Sequence, residues 1–130
     1  MTGHMIETVP TVLVVDDTPQ ISYMVASVLK TEGFSVLTAN NATDAIRLAR
    51  NHPGGIDLLV SDVMMPGMDG PALVRELRSS VPDLPVILMS GVCQTPELKT
   101  AGPVEFLEKP FSLAKLLGRV YILTGRLAPV

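Results

Sequence analysis

The stretch Leu58-Leu59-Val60-Ser61-Asp62-Val63-Met64-Met65-Pro66-Gly67-Met68-Asp69-Gly70-Pro71 decides how the rest of the chain is read. Leu58 to Ser61 reads as a short strand running directly into Asp62. Met64 to Gly70 must then be a loop, because proline and glycine interrupt any periodicity there. Pro71 opens a helix whose apolar stripe is Leu73, Val74 and Leu77. A strand, an acid at its carboxyl end, a loop and a helix make one βα unit.

Working outward, the same unit recurs on both sides. Upstream, Val12 to Val15 is continuously apolar and β-branched, the pattern of a strand covered on both faces in a parallel sheet. It ends in Asp16 and Asp17. Thr18 is placed to cap the next helix, Pro19 suits its first turn, and Ile21, Met24, Val25, Val28 and Leu29 fall on one stripe before Gly33 stops it. Ser35 to Ala39 is a second strand, and the Asn40-Asn41 pair caps a helix with Ala42, Ala45, Ile46 and Ala49 inward. Downstream, Val86 to Met89 is a fourth strand ending at Ser90 and Gly91. Glu105 to Glu108 is a fifth strand, closed by Lys109-Pro110. Ser112 caps a last helix carrying Leu113, Leu116, Leu117, Val120 and Leu123. Between Val92 and Gly102, Pro96 leaves room for only about two helical turns around Glu97 to Ala101. Five βα repeats of this kind predict an α/β fold, a parallel sheet with helices on both faces and right-handed crossovers, with its sites beyond the carboxyl ends of the strands.

Composition bounds the function. At 130 residues the chain has room for about one domain, and 47% hydrophobic with 18% charged residues supports a substantial core rather than disorder. Ten Lys and Arg against thirteen Asp and Glu leave a formal charge of −3, which gives no electrostatic grip on nucleic acid or anionic lipid and favours a cation or a basic partner. The single cysteine, Cys93, makes no internal disulfide and points to a reducing, cytoplasmic compartment. No apolar run approaches the roughly 20 residues that span a bilayer, and the N-terminus lacks a signal-peptide pattern. Residues 1–10 read as a tail in which Gly3-His4-Met5 is either a cloning scar or a native start. Residues 125–130 read as a second tail, too short for an output domain.

The strand ends carry the chemistry. Asp16, Asp17, Asp62, Ser90 and Lys109 all fall on one edge of the expected sheet, bringing together three carboxylates and one ammonium. Unit charges about 4 Å apart repel by on the order of 4 kcal/mol at an effective dielectric near 20, so the trio calls for compensation. A hard divalent cation such as Mg2+ supplies it from oxygen ligands, and no His or Cys cluster offers a softer alternative. Beside such an ion, Asp62 can attack phosphorus and form an acyl phosphate, with Lys109 and the Ser90 hydroxyl meeting the phosphoryl oxygens.

Taken as an ordered set, Asp16-Asp17, the run Asp62 to Gly70, Ser90-Gly91, and Phe106 followed by Lys109-Pro110-Phe111 resemble the receiver domain of two-component response regulators, over roughly Thr11 to Thr124. The resemblance implies a flavodoxin-like doubly wound (βα)5 fold with sheet order 2-1-3-4-5. It also implies that Asp62 takes a phosphoryl group from a phosphohistidine of a sensor histidine kinase or histidine phosphotransfer protein. Asp17 would ligate Mg2+ directly, Asp16 mainly through water, and Met64 through its backbone carbonyl. Ser90 would be the switch hydroxyl, Lys109 the phosphate partner, and Phe106 the aromatic whose rotamer follows Ser90. Nineteen positions separate Ser90 from Lys109, fewer than is usual in that family, so the fourth helix is expected to be short or irregular. The face that commonly serves output in the family therefore leaves two alternatives, a monomer or a phosphorylation-linked dimer.

Other functions fit the residues less well. A small Mg2+-dependent aspartyl phosphohydrolase usually carries a second acid two residues after its nucleophile, and Met64 stands there. A dinucleotide or P-loop site lacks its glycine motif. His4 and His52 read as solvated, Cys93 as an inert thiol and the methionines as packing residues. The output is expected outside this stretch of chain, either with the partners of a free-standing regulator or in a longer protein such as a hybrid kinase. The runs Met89-Ser90-Gly91 and Leu107 to Phe111 are similar to receivers at the C-terminus of hybrid kinases.

Overall fold

The computed structural model describes residues 9–91 and 100–126. Its elements follow the expected alternation: β1 (Thr11–Val15), α1 (Pro19–Thr31), β2 (Ser35–Ala39), α2 (Ala42–Asn51), β3 (Leu58–Asp62), α3 (Gly70–Arg78), β4 (Val86–Ser90), β5 (Glu105–Glu108) and α4 (Leu113–Thr124). The expected helical turns around Glu97 to Ala101 fall mostly outside the described residues, as do His4, Val92 and Cys93.

The strands form one sheet in the order β2-β1-β3-β4-β5 with every pairing parallel, the flavodoxin-like arrangement. β1, β3 and β4 are buried along their whole length, which is why their sequences are apolar without alternation. Edge strand β2 is buried only at Ala39. Side chains alternate across the sheet and feed two cores. Leu13, Val15, Leu59 and Leu88 pack with Leu73, Val74 and Leu77 of α3 and the small inner residues of α2. Val12, Val14, Val60, Ile87 and Met89 pack with Val25 and Leu29 of α1 and Leu116 and Val120 of α4.

The helix faces match the sequence reading with local shifts. In α1 the buried residues are Ser22, Val25, Ala26 and Leu29, while Met24 is 40% exposed. Ser22 is tolerated inside because its hydroxyl donates to the Pro19 carbonyl at 3.1 Å. Thr18 occupies the N-cap position of α1, but its side chain makes no capping bond. Asn41, Asp69 and Ser112 do cap α2, α3 and α4, accepting from Asp44, Ala72 and Lys115 N–H groups at 2.8, 2.9 and 3.0 Å. Leu113, expected inward, is 38% exposed, and Tyr121 is buried in its stead. His52 is half-buried, with Nε2 3.4 Å from the Thr11 hydroxyl, rather than solvated.

Candidate functional site

Register carries the site residues to one edge. Val15 pairs with Ser61, Asp62 with Met89 and Ser90 with Glu108, so β1, β3, β4 and β5 end side by side. Backbone bonds extend the sheet one residue further: Asp16 N–H donates to Ala39 O at 3.2 Å, Val63 N–H to Met89 O at 2.9 Å and Lys109 N–H to Ser90 O at 2.7 Å. Asp16, Asp62, Ser90 and Lys109 thus leave consecutive positions of a fixed frame rather than mobile loops.

Asp16 is fully buried, and both of its carboxylate oxygens are engaged. Oδ1 accepts the Thr18 N–H at 2.9 Å, and Oδ2 accepts from Lys109 Nζ at 3.1 Å. Asp62, 8% exposed, lies 3.2 Å from the same ammonium through Oδ2. Asp17 is exposed, and one carboxylate oxygen each of Asp16, Asp17 and Asp62 lie within 4.8 Å of one another. Lys109 therefore bridges two of three crowded carboxylates.

The electrostatics follow from that crowding. Burial and the negative charge of Asp16 hold the Asp62 carboxyl above its ordinary value, against the opposing pull of Lys109 and of the Met64 N–H that donates to it. For Lys109, burial disfavours the charge, but the hydrogen bonds and charges of Asp16 and Asp62 outweigh it, and the ammonium holds its proton above the ordinary lysine value. Three carboxylates against one ammonium leave an excess of negative charge among oxygen-only donors. That donor set suits a hard divalent ion such as Mg2+, and the engagement of both Asp16 oxygens leaves Asp17 and Asp62 as the carboxylates best able to meet it directly.

The loop after β3 shapes the approach. Gly67 takes a φ of +77°, a conformation glycine adopts without a Cβ penalty. Gly70 N–H donates to Val63 O at 2.9 Å, and a Cβ at Gly70 would collide with the Asp62 backbone carbonyl. Met65 is buried, whereas Met64 is 70% exposed beside Asp62. Ser90 is buried at the end of β4, and Phe106, opposite Leu88 on β5, is half-buried against the core on the α2–α3 side. Asp16, Asp17, Asp62, Met64, Ser90 and Lys109 are thus at or next to one sheet edge, and Phe106 lies two residues in from it.

Two polar contributors were missed in the sequence. Asn40, read only as a capping residue, donates through Nδ2 to the Asp16 carbonyl at 3.1 Å. Its position at a strand end, one residue before a sufficient cap, was the available signal. Arg78, which the sequence reading did not single out, is buried and donates to the carbonyls of Leu84, Thr100 and Pro103 at 2.6 to 3.2 Å. Its spacing of four residues from Val74 put it on the inner face.

A model of the response regulator receiver domain matches residues 12–121. The probable transcriptional regulatory protein TcrX of Mycobacterium tuberculosis is 38% identical over 119 residues, covering 89% of this chain and 50% of TcrX. Sensor kinase CckA of Brucella abortus is 38% identical over 109 residues, 82% of this chain and 12% of CckA. The chain therefore spans half the length, or much less, of these relatives. Among solved structures, the chemotaxis protein CheY4 of Vibrio cholerae superposes with a TM-score of 0.81 at 30% identity, covering 89% of this chain and 99% of that one. With the acidic edge, its bridging lysine and the 2-1-3-4-5 sheet already in place, the match across nearly the whole chain shows that it belongs to the response regulator receiver domain family, the phosphoaccepting switch modules of two-component signalling.

Proposed function

We propose that Asp62 is the phosphoacceptor of this receiver and that Asp16, Asp17, Ser90, Lys109 and the Met64 carbonyl complete its site, within a receiver unit of residues 11–124. The observation that carries the reading is Lys109 Nζ held 3.1 and 3.2 Å from Asp16 and Asp62 inside a cluster with an uncompensated negative charge. Mg2+ is the proposed ion, held by Asp17, Asp62 and the Met64 carbonyl, with Asp16 acting through water. When bound, it neutralises the cluster, keeps Asp62 ionised and draws charge from the phosphoryl oxygens.

The chain's own groups divide the remaining work. An ionised Asp62 oxygen attacks phosphorus, the P–N bond of the donor phosphohistidine breaks, and the imidazole leaves with the bonding pair and takes up a proton. Lys109, fixed as an ammonium by its two carboxylate partners, meets the charge on one phosphoryl oxygen. The Ser90 hydroxyl, one strand away, donates to another, and Phe106 follows its displacement. The phosphoryl donor is a sensor histidine kinase or a histidine phosphotransfer protein. The output partner is a protein contacted by a monomer or by a phosphorylation-linked dimer, in the cytoplasm. No helix among the described residues is long and apolar enough to cross a membrane.

The test is incubation with acetyl phosphate and Mg2+ followed by intact mass, on wild type and on Asp62→Asn. One phosphate-sized gain in wild type alone is expected. Equal labelling of both proteins would reject Asp62 as the acceptor, and sustained turnover of phosphate esters would favour the phosphohydrolase.

A further inference from the structure

We propose that Asn40 is a positioning residue that sets the geometry of the Asp16-Asp17 dipeptide, and through it the affinity of the site for its divalent ion. The proposal rests on the reading of Asp17 as a metal ligand.

β1 and β2 run in parallel register up to Val15 opposite Ala39, and the ladder continues for one more bond, from Asp16 N–H to Ala39 O. At the next position β2 turns into α2, whose cap is the Asn41 side chain. The Asp16 carbonyl, which would otherwise look to the next main-chain N–H in a parallel pair, is met by the side-chain amide of Asn40. The same Nδ2 lies 3.5 Å from the Ser22 hydroxyl, which is itself tied to Pro19 O. The two asparagines therefore split their tasks: Asn41 starts a helix, and Asn40 extends the sheet by one side-chain rung.

That rung falls on the peptide group joining Asp16 to Asp17. A peptide is planar, so fixing its carbonyl fixes the N–H of Asp17 and the direction in which the Asp17 Cα departs. The Asp16 end is also held at its own N–H and at Oδ1, both by main-chain groups. Asp17 is exposed, and its carboxylate makes no hydrogen bond or ion pair among the described residues. Asn40 is thus the side chain that restricts where the Asp17 carboxylate points before an ion arrives. Asn40 is itself exposed, so the main contact its removal strips is the one to the carbonyl of the fully buried Asp16.

The test compares wild type, Asn40→Ala and Asn41→Ala. Mg2+ binding is followed by calorimetry, and acetyl phosphate labelling is followed as a function of Mg2+. Asn40→Ala is expected to raise the half-saturating Mg2+ concentration about three- to tenfold, the worth of one hydrogen bond, with the labelling rate at saturating Mg2+ kept within about twofold. Asn41→Ala, which removes a helix cap two residues from the edge, is expected to lower the melting temperature but leave the half-saturating Mg2+ unchanged. An Asn40→Ala protein with wild-type Mg2+ dependence, or one that loses only its plateau rate, overturns the proposal while leaving the receiver reading intact. A wild-type protein that binds no Mg2+ and takes no label overturns both.

Discussion

Neutralising Asp62 should make the metal-free protein more stable. Lys109 attracts the Asp62 carboxylate across 3.2 Å, worth about 5 kcal/mol at an effective dielectric near 20. Asp16 and Asp17, no farther than 4.8 Å, each repel it by about 3.5 kcal/mol on the same scale. Repulsion exceeds attraction by about 2 kcal/mol; screening at exposed Asp17 reduces this, and burial of the Asp62 charge adds to it. Asp62→Asn keeps an oxygen for Lys109 and removes the surplus charge, so a gain of roughly 1 to 2 kcal/mol is expected, or roughly 4 to 8 °C in melting temperature for a domain of this size. The direction agrees with an Asp62 carboxyl held above its ordinary value of 3.8. Since the native state binds that proton more tightly than the unfolded chain, wild type has its full share of stability below pH 3.8 and loses it as pH rises through the native value. The advantage of Asp62→Asn should therefore vanish near pH 3.8 and be complete at neutral pH. Thermal melts of both proteins in a chelator across that range measure it. A variant less stable than wild type at neutral pH, or an advantage that does not change with pH, would refute the charge argument.

Mg2+ should raise the wild-type melting temperature by mass action, by about 2.7 kcal/mol at one hundred times its dissociation constant, and Asp17→Asn should abolish most of that shift without lowering the metal-free value. Calorimetric melts with and without Mg2+ report both. Met64, 70% exposed beside Asp62, offers no group to position or activate water, so the phosphorylated form should lose its phosphate over minutes or longer, and Met64→Glu should shorten that lifetime. Loss within seconds in wild type would contradict this. Gly70→Ala forces a methyl group against the Asp62 carbonyl, and a destabilisation of about 2 kcal/mol or more, with reduced labelling, is expected from urea melts and intact mass.

What could be read in the sequence was whatever is encoded by continuous apolarity and by its abrupt end. Val12 to Val15, Leu58 to Ser61 and Val86 to Met89 are strands buried on both faces, so their residues are apolar except for the small Ser61, and the polar residue that follows each run marks the sheet edge. That is why Asp16, Asp62 and Ser90 could be placed together before any coordinates were known. Less legible was anything decided by a single hydrogen bond. Thr18 has the residue type of a cap, yet its N–H serves Asp16 and its hydroxyl does not cap. Ser22 is polar but buried, Met24 apolar but partly exposed, because the stripe of α1 is rotated toward its small residues against β1 and β2. Arg78 breaks the rule that charge faces water because backbone carbonyls of three residues are in reach of its guanidinium, and carbonyl positions are not written in side-chain pattern.

The same backbone frame explains how the chain tolerates its acidic edge. Like charges brought within 4.8 Å would drift apart on flexible loops, but Asp16 and Asp62 lie at the ends of strands that are buried along their whole length and whose next residues are still bonded into the sheet. Relieving the repulsion by moving either acid would break those bonds and open one of the two cores, at a cost of several kcal/mol for even one large apolar side chain. The surplus of two negative charges left by three carboxylates and one ammonium is therefore held in place by packing far from the site. A divalent ion would cancel that surplus, and phosphorylation at the proposed acceptor Asp62 would return about one negative charge, since a phosphoryl group carries up to about two where the carboxylate carried one. With the charge close to balance in both states and the backbone of Ser90 and Lys109 joined into the sheet, the proposed switch rests on the side chains of these two residues. A module built this way responds to a single phosphoryl group because its frame is too rigid to absorb the charge by rearranging.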